Sequence, residues 1–400
     1  MPPTFLSDYG FYNSGNESPP VFHLWSALVA LAVVSGRRTH FLLGQEEGYE
    51  QLRICPDLYV CFVAPQGVRK SFAKDVARDL VAGEFPDFPM SYNVETREGI
   101  WKYLASEESI RVFTNEKGEL VEYHPMFLGI NELKNFLSVN PYGMVDFLID
   151  IFGRTEFKNR TKHEGIDIIP NPNINILACA TTEYTIGQLK DGLLGGLARR
   201  MLFVSVNEYV RNPRPAIPSG GREAWNRVRS HLHKVNATVG TFRWRSEEDQ
   251  LFYDRWYVGL KSPPDPLMSG FYNSKHIQVL KVAMLMALAE YDIKLLLTRE
   301  LLEQAISMVD LIEPGMIALF ASSGRNELIG PMNRIIEAVE GHGGVLPERL
   351  LRGVMDRDLN PQEQYSMIRH LETTKRIKMV NMGGDVGMVA MAWRLLKKEK

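Results

Sequence analysis

The chain has 400 residues, enough for roughly two or three units with cores of their own, since a single domain usually holds about 100–200 residues. Its 45% apolar and 24% charged residues are the proportions of an ordinary soluble globular protein. A formal net charge of -2 excludes attraction of nucleic acid by the whole surface; a local basic groove stays open, because steering depends on where charge sits.

The start, Met1-Pro2-Pro3-Thr4, lacks the basic and apolar regions of a signal peptide, so the expected location is the cytoplasm. Residues up to Pro20 are rich in Gly, Asn, Ser and Pro and read as a loose leader. Leu24–Val34 is the most apolar stretch near the start, but it falls short of the about 20 residues a membrane span needs. Flanked by His23, Trp25 and Gly36-Arg37-Arg38, it reads as a buried helix, with no membrane partner expected. A strand follows at Thr39–Leu43, and a short β-rich apolar run at Leu58–Val63 closes on Ala64-Pro65-Gln66-Gly67. Ser71–Val81 has helical spacing, with Phe72, Val76 and Leu80 on one face. Ile110–Phe113 and Leu120–Tyr123 predict a hairpin turning at Asn115–Gly118. Met126–Ile130 is a buried strand running into a helical segment through Leu137; Ile174–Ala180 and Met201–Val206 are further core strands. Strands with interposed helices predict an α/β core with a mainly parallel sheet. Cys55, Cys61 and Cys179 form no CxxC pair or Cys/His ligand spacing, and the latter two lie in apolar runs as small hydrophobes.

After Val206 the composition changes. Arg211–Pro215 and Pro218–Gly221 read as a linker, and helices are expected at Arg222–Val235, Glu247–Leu260, Ser274–Tyr291 and Thr298–Phe320. Ser322-Ser323-Gly324 marks a second boundary. Beyond it come helices at Leu328–Glu340, Pro347–Met355 and Pro361–Thr373, then strands Ile377–Asn381 and Val389–Trp393 joined through Gly383, Gly384, Asp385 and Gly387. Three helices with a two-stranded end give a winged-helix pattern. The expected division is a leader and helix over 1–50, a core over 51–210, a helical lid over 211–323 and a winged helix over 324–400.

The chemistry concentrates in Ala64-Pro65-Gln66-Gly67-Val68-Arg69-Lys70-Ser71. It follows the phosphate-loop pattern A/G-x-x-x-x-G-K-S/T, except that Arg69 stands where the pattern asks for glycine. In such a loop, backbone N–H groups at a helix N-terminus curl around phosphate oxygens. Lys70 would neutralise the β/γ-phosphates of ATP, and Ser71 would hold Mg2+. The competing reading is an ordinary loop that ends in Arg-Lys-Ser.

Acidic groups after a downstream apolar strand orient the metal and the attacking water in such ATPases. Asn131 and Glu132 follow Met126–Ile130, with Asn131 in the metal-ligand position and Glu132 as candidate base or water-orienting group. Thr181 and Thr182 end the third core strand, either sensing the γ-phosphate or capping a helix. Arg199 and Arg200 lead into Met201–Val206: Arg200 is a candidate arginine finger across a subunit boundary and Arg199 a candidate sensor. Lys275 and His276, opening a lid helix, are within reach of nucleotide by sequence, though surface solvation is the favoured reading.

These landmarks together resemble the phage- and plasmid-borne P-loop ATPases related to replicative helicases, a group long catalogued as a domain of unknown function. The resemblance runs from about Phe22 to Leu319. Its markers are Phe22-His23-x-Trp25 with Gly36-Arg37-Arg38, the Ala64–Ser71 loop, Asn131-Glu132-Leu133, Asn171-Pro172, Thr181-Thr182, Gly196-x-x-x-Arg200-x-x-Phe203-Val204, and the lid-like helix from Val279 to Ala289. It implies an α/β P-loop NTPase core with a RecA/AAA+-like parallel sheet, in an oligomeric ATPase acting on DNA during replication of a mobile element.

Residues 325–400 carry about three more basic than acidic groups. Arg369, Lys375, Arg376 and Lys378 cluster on and after the candidate recognition helix, and Lys397, Lys398 and Lys400 form a basic tail; DNA contact and protein docking are both open for this unit. The leading expectation is a DNA-dependent ATPase, a helicase or helicase-like motor assembled as a homo-oligomer, a hexameric ring among the options, beside other replication proteins. The alternative is an ATP-gated loader or initiation adaptor with vestigial hydrolysis.

Overall fold

The structure, a computed structural model, describes residues 3–44, 51–91, 95–138, 140–161, 165–190, 196–261, 263, 268–324, 329–355, 364, 368–369, 371–372, 377–381 and 391–395. They form a mixed α/β chain that divides into two compact units, 1–323 and 324–400. The first unit runs α1 (Phe5–Asn13), α2 (Pro20–Ser35), β1 (Thr39–Leu43), β2 (Leu52–Ile54), β3 (Tyr59–Val63), α3 (Lys70–Glu84) and α4 (Arg97–Leu104). It continues through β4 (Arg111–Thr114), β5 (Leu120–Ile130), α5 (Leu133–Phe136), α6 (Pro141–Ile151), β6 (Glu156–Thr161), β7 (Gly165–Pro170), β8 (Pro172–Ala180), α7 (Thr182–Lys190) and β9 (Met201–Ser205). The remainder is α8 (Gly221–Ala237), β10 (Gly240–Trp244), α9 (Glu247–Val258), α10 (Ser269–Ala289), β11 (Leu296–Leu297) and α11 (Arg299–Gly324).

The central sheet has the order β4-β5-β8-β3-β9, parallel except for β4. Its inner strands are apolar throughout because both faces are covered: every residue of β3 and β8 is buried. Helix α2 is buried all round, Ala27 to Val34 each at 1% exposure or less, and packs on α3, α10 and strands β3, β5 and β8.

The hairpin and core strand expected at 120–123 and 126–130 are one strand, β5, which crosses Pro125. Proline is tolerated because of where its missing N–H would point. His124 N donates to Asn171 on the β8 side and Phe127 N to Pro89 on the other, so position 125 faces the side that β4 has already left.

Three expectations are corrected. The leader is not loose: Thr4 and Ser7 form a capping box for α1, and Phe5 and Tyr9, one turn apart, are fully buried against α2 and α8. Asp8 holds Arg227 of α8 through two bonds of 2.7 and 2.8 Å. Secondly, the segment after residue 206 is not helical alone; β10 and β11 join β1 and β2 in a second sheet, ordered β11-β10-β1-β2, with β10 parallel to β1. Thirdly, the face Phe72, Val76, Leu80 is core only in part: Leu80 is 4% exposed and joins the core, and Val76 packs partly buried against it. Ala73, Lys74, Ala77 and Val81 are fully buried, whereas Phe72 is 47% exposed.

Among the described residues one helix, Arg299–Ser322, is long and apolar enough to cross a membrane by length and composition. Its Leu302, Ala305, Val309, Ile312, Met316 and Leu319, at helical spacing, are buried in the main core of this unit.

The second unit contains α12 (Ile329–Gly341), β12 (Val345–Pro347), α13 (Glu348–Met355), β13 (Ile377–Asn381) and β14 (Met391–Leu395). The strands pair antiparallel in the order β12-β14-β13, so the expected two-stranded end is a three-stranded sheet, with its last strand two residues later than predicted. Ile335, Val339, Leu346, Leu351, Leu371, Ile377 and Trp393 make its core. Most of the expected helix 361–373, the turn at 383–387, Lys375, Arg376 and the tail Lys397, Lys398 and Lys400 lie outside the described residues.

Candidate functional site

The carboxyl ends of β3, β5 and β8 lie along one edge of the central sheet, where ligands of open parallel sheets bind. The loop 64–69 leaves β3 between β8 and β9, pinned at its start by Ala64 N donating to Ala180 O. Gly67 takes φ +87°. Arg69 takes φ 56°, ψ 30°, the left-handed conformation, at the cap of α3. That conformation costs a side-chain-bearing residue about 1–2 kcal/mol, which is why the pattern asks for glycine there.

Two segments hold Arg69. Its guanidinium pairs with Glu17 at 3.1 Å, and its carbonyl accepts from Ser18 Oγ at 2.8 Å. Glu17 also accepts from Asn212 N at 3.4 Å, Asn212 Nδ2 donates to Gly15 O at 2.8 Å, and Tyr209 OH donates to Gln66 O at 3.0 Å. The chain before α2 and the linker after β9 therefore clasp the loop from outside.

The first helical bond of α3 is Ala73 N to Arg69 O, so the amides of Lys70, Ser71 and Phe72 have no intrahelical acceptor and carry the positive end of the helix dipole. Lys70 Nζ folds over the loop, donating to Ala64 O at 2.6 Å and Pro65 O at 2.8 Å. Partial burial lowers its pKa, against the opposing pull of Cys179, Glu132, Cys61 and Glu183. Glu132 caps α5 at the tip of β5, one strand removed from β3, or about 10 Å between backbones. The side chains of Ser71, Asn131 and Glu132 make no hydrogen bond or ion pair among the described residues. These hard oxygens suit Mg2+, which takes one or two protein oxygens and completes its shell with phosphate and water.

At the β8 tip the two threonines divide the two readings. Thr181 Oγ1 accepts from Tyr184 N at 3.4 Å, as a helix cap, while Thr182 Oγ1 is buried with no partner. A buried hydroxyl without a partner loses its hydration uncompensated, and a ligand oxygen would restore it.

Arg199 and Arg200 do not join this cluster. They precede β9, whose Met201 pairs with Tyr59, the first residue of β3, so both lie at the amino end of the sheet. Arg200, its pKa lowered by burial, neighbours Tyr59, Asp150 and Arg154. The backbone of Arg199 docks on α10, its carbonyl accepting from Ser274 Oγ at 2.7 Å and Gln278 Nε2 at 3.4 Å. Its side chain is exposed.

Lys275 is not solvated either. It is 6% exposed and pairs with Asp310 at 2.7 Å and Glu313 at 2.5 Å, while His276 packs on Tyr257 at 4.3 Å.

In the second unit Arg369 and Lys378 are exposed, and Lys378 stands directly opposite the exposed Arg394 in the β13–β14 pair. Arg394 was missed because only the strand register brings it beside Lys378.

No protein-family model matches this sequence, and comparison with curated proteins finds no match.

Proposed function

We propose that this chain is a P-loop nucleoside triphosphatase that uses ATP and Mg2+ to act on DNA, in an oligomer whose subunits share nucleotide sites. One observation carries the reading: the unbonded amides of α3, Lys70, the unpaired Glu132 and the orphaned Thr182 hydroxyl converge on one edge of a parallel sheet. The strand order supports it, because β8 stands between β3 and β5 and leaves room for phosphate and metal between Lys70 and Glu132. Arg200 lies at the sheet end away from its own chain's loop, and in this reading it acts on a neighbouring subunit as an arginine finger supplied in trans. Residues 211–323 then act as a helical lid, and the second unit, with its helix–strand–helix run and terminal hairpin, as a winged helix. The Lys378–Arg394 pair supports DNA contact: like charges opposite each other are unfavourable alone and satisfied by phosphate. Replication proteins are the expected further partners.

Steady-state ATP turnover with and without single-stranded and duplex DNA, beside mass photometry, tests this reading. DNA-stimulated turnover in an oligomer supports it; nucleotide binding without turnover removes the motor. A second reading, an ATP-gated loader or adaptor with weak hydrolysis, is favoured by Arg69, strained and tied to Glu17, and by Asn131 in place of a metal-binding carboxylate. Arg69→Gly separates the two: raised turnover belongs to a motor held back by its loop, unchanged turnover to an adaptor.

A further inference from the structure

Phe72 and Val76 are the part of the α3 stripe that is not fully buried. They face a cavity of about 630 Å³, within the range of small-ligand sites. Tyr12 and Trp225 form one wall, stacked with ring centroids 4.3 Å apart and planes 19° from parallel. Asn16 and Ile217 complete its near end. We propose that this cavity is a nucleobase-binding site, holding the base of the nucleotide whose phosphates lie on the loop.

Continuity with the loop carries the proposal. Phe72 lies two residues beyond Lys70 on the same helix, within its first turn, and its half-exposed side chain lines the cavity. Asn16 is followed by Glu17 and Ser18, which hold the side chain and carbonyl of Arg69. Ile217 belongs to the linker whose Tyr209 holds Gln66. Phe72, Asn16 and Ile217 are thus each tied through the chain to the loop, and the proposal seats in this cavity the sugar and base of a triphosphate held at the N-terminus of α3.

The chemistry fits a flat heteroaromatic ring. Aromatic faces bind bases by stacking, and the rings here are held by packing rather than ordered on binding. Asn16 supplies polarity: it spends one N–H on Asn13 Oδ1 at 3.3 Å, and its second has no acceptor among the described residues. The width of the opening is set where the two flanking segments meet. A Cβ on Gly15 would fall 1.8 Å from Ala216 O, so only glycine lets the chain before α2 and the linker after β9 close on each other.

The inference rests on the loop binding phosphate, and its test separates the two. Isothermal titration compares ATP with inorganic tripolyphosphate, each with Mg2+, on the full chain. ATP is expected to bind at least about 10-fold tighter than tripolyphosphate, the scale of one stacked base. Phe72→Ala is expected to remove most of that lead while leaving tripolyphosphate affinity unchanged, and Phe72→Tyr to keep the lead. Because Phe72 is half exposed, its truncation spares the core. Equal binding of ATP and tripolyphosphate to the wild type, or an undiminished ATP lead in Phe72→Ala, overturns the base site while leaving the phosphate loop standing. Binding of neither ligand overturns the loop and the base site with it.

Discussion

The two ends of the central sheet are built from similar polar residues and use them in opposite ways. At the amino end, Lys281 of α10 is 3% exposed and pairs at 3.0 Å with Asp57, itself 2% exposed, over the ring of Phe152. Beside them Arg37 is fully engaged, donating to Pro172 O at 2.9 Å, Arg154 O at 2.7 Å and Cys55 Sγ at 3.3 Å. At the carboxyl end, Ser71, Asn131, Glu132 and Thr182 have no side-chain partner among the described residues, and Arg69 is held in a strained conformation. Saturated burial fixes one end; the other keeps unspent hydrogen-bonding capacity and stored strain, as the proposed phosphate site requires. Several of the markers that carry the family resemblance, Gly36, Arg37 and Lys281, belong to the saturated end, where they tie α2 and α10 to the sheet. Gly36, at φ +57°, lies where a Cβ would meet the Tyr123 ring at 2.9 Å.

The largest expected effect falls at the open end. Lys70→Ala should abolish measurable ATP binding and leave the far-UV circular dichroism unchanged, since it removes the lysine that folds over the loop and no core contact. Retained affinity by fluorescent-nucleotide titration would mean that the open end is not a phosphate site. Arg200→Ala should keep ATP affinity and lower turnover about 10³-fold or more, the scale of losing an arginine finger. Mixed with Lys70→Ala subunits it should regain activity, because each mixed interface can take one intact part from each partner. Absence of rescue in a sample shown to exchange subunits would confine Arg200 to the structural end.

At the saturated end the expectation reverses. Asp57→Ala leaves Lys281 charged and buried, and should lower the unfolding free energy by about 3–5 kcal/mol with nucleotide affinity of the folded protein unchanged. Urea unfolding and nucleotide titration of the same variant measure both, and a lost affinity with unaltered stability would erase the distinction between the ends.

The segment before α2 that clasps the loop rests on a titratable group of α2, His23. Burial lowers the His23 pKa from 6.5 to about 4 while its Nε2 meets Asn16 Oδ1 at 3.0 Å. The unfolded chain takes up this proton as pH falls through 6.5 and the folded chain only near 4. His23 therefore makes stability fall between those values, by on the order of 3 kcal/mol in all, and contributes no further change below them. His23→Gln should flatten that part of the stability–pH curve; parallel curves for the two proteins would show that His23 titrates normally in the fold.

How far the sequence speaks follows from the range of each interaction. The β3–loop–α3 unit is legible because strand, turn and helix signals lie within a few residues of one another. Helix α1 is hidden: Phe5, Tyr9 and Tyr12 share a helical face, but the surrounding Gly, Asn and Ser read as a leader, and only packing against α8, more than 200 residues on, decides the matter. The same distance conceals β10, which finds β1 across the chain, and the burial of Lys275 and Lys281, whose partners Glu313 and Asp57 lie 38 and 224 residues away. Phe72, Val76 and Leu80 show the limit of periodicity: spacing reveals an apolar face, and only the fold reveals whether core or cavity covers it.

The smallest effect concerns the second unit. Lys378 and Arg394 are both exposed and face each other across the β13–β14 pair, a concentration of positive charge that no acidic neighbour in that register relieves. If this pair grips DNA phosphate, replacing either residue with alanine should weaken binding alike for all sequences. It should also flatten the plot of log affinity against log salt by about 0.9 for a duplex, or about 0.7 for a single strand. Basal ATP turnover should be untouched, since neither residue belongs to the loop edge, while its stimulation by DNA should fall with the affinity. Binding isotherms at several salt concentrations read the slope directly, and the double variant should lose about twice as much as either single one. A wild-type slope in the double variant would assign the unit to protein docking, place any DNA contact on the first unit, and favour the loader over the motor, because a docking module serves an adaptor better than a translocating enzyme.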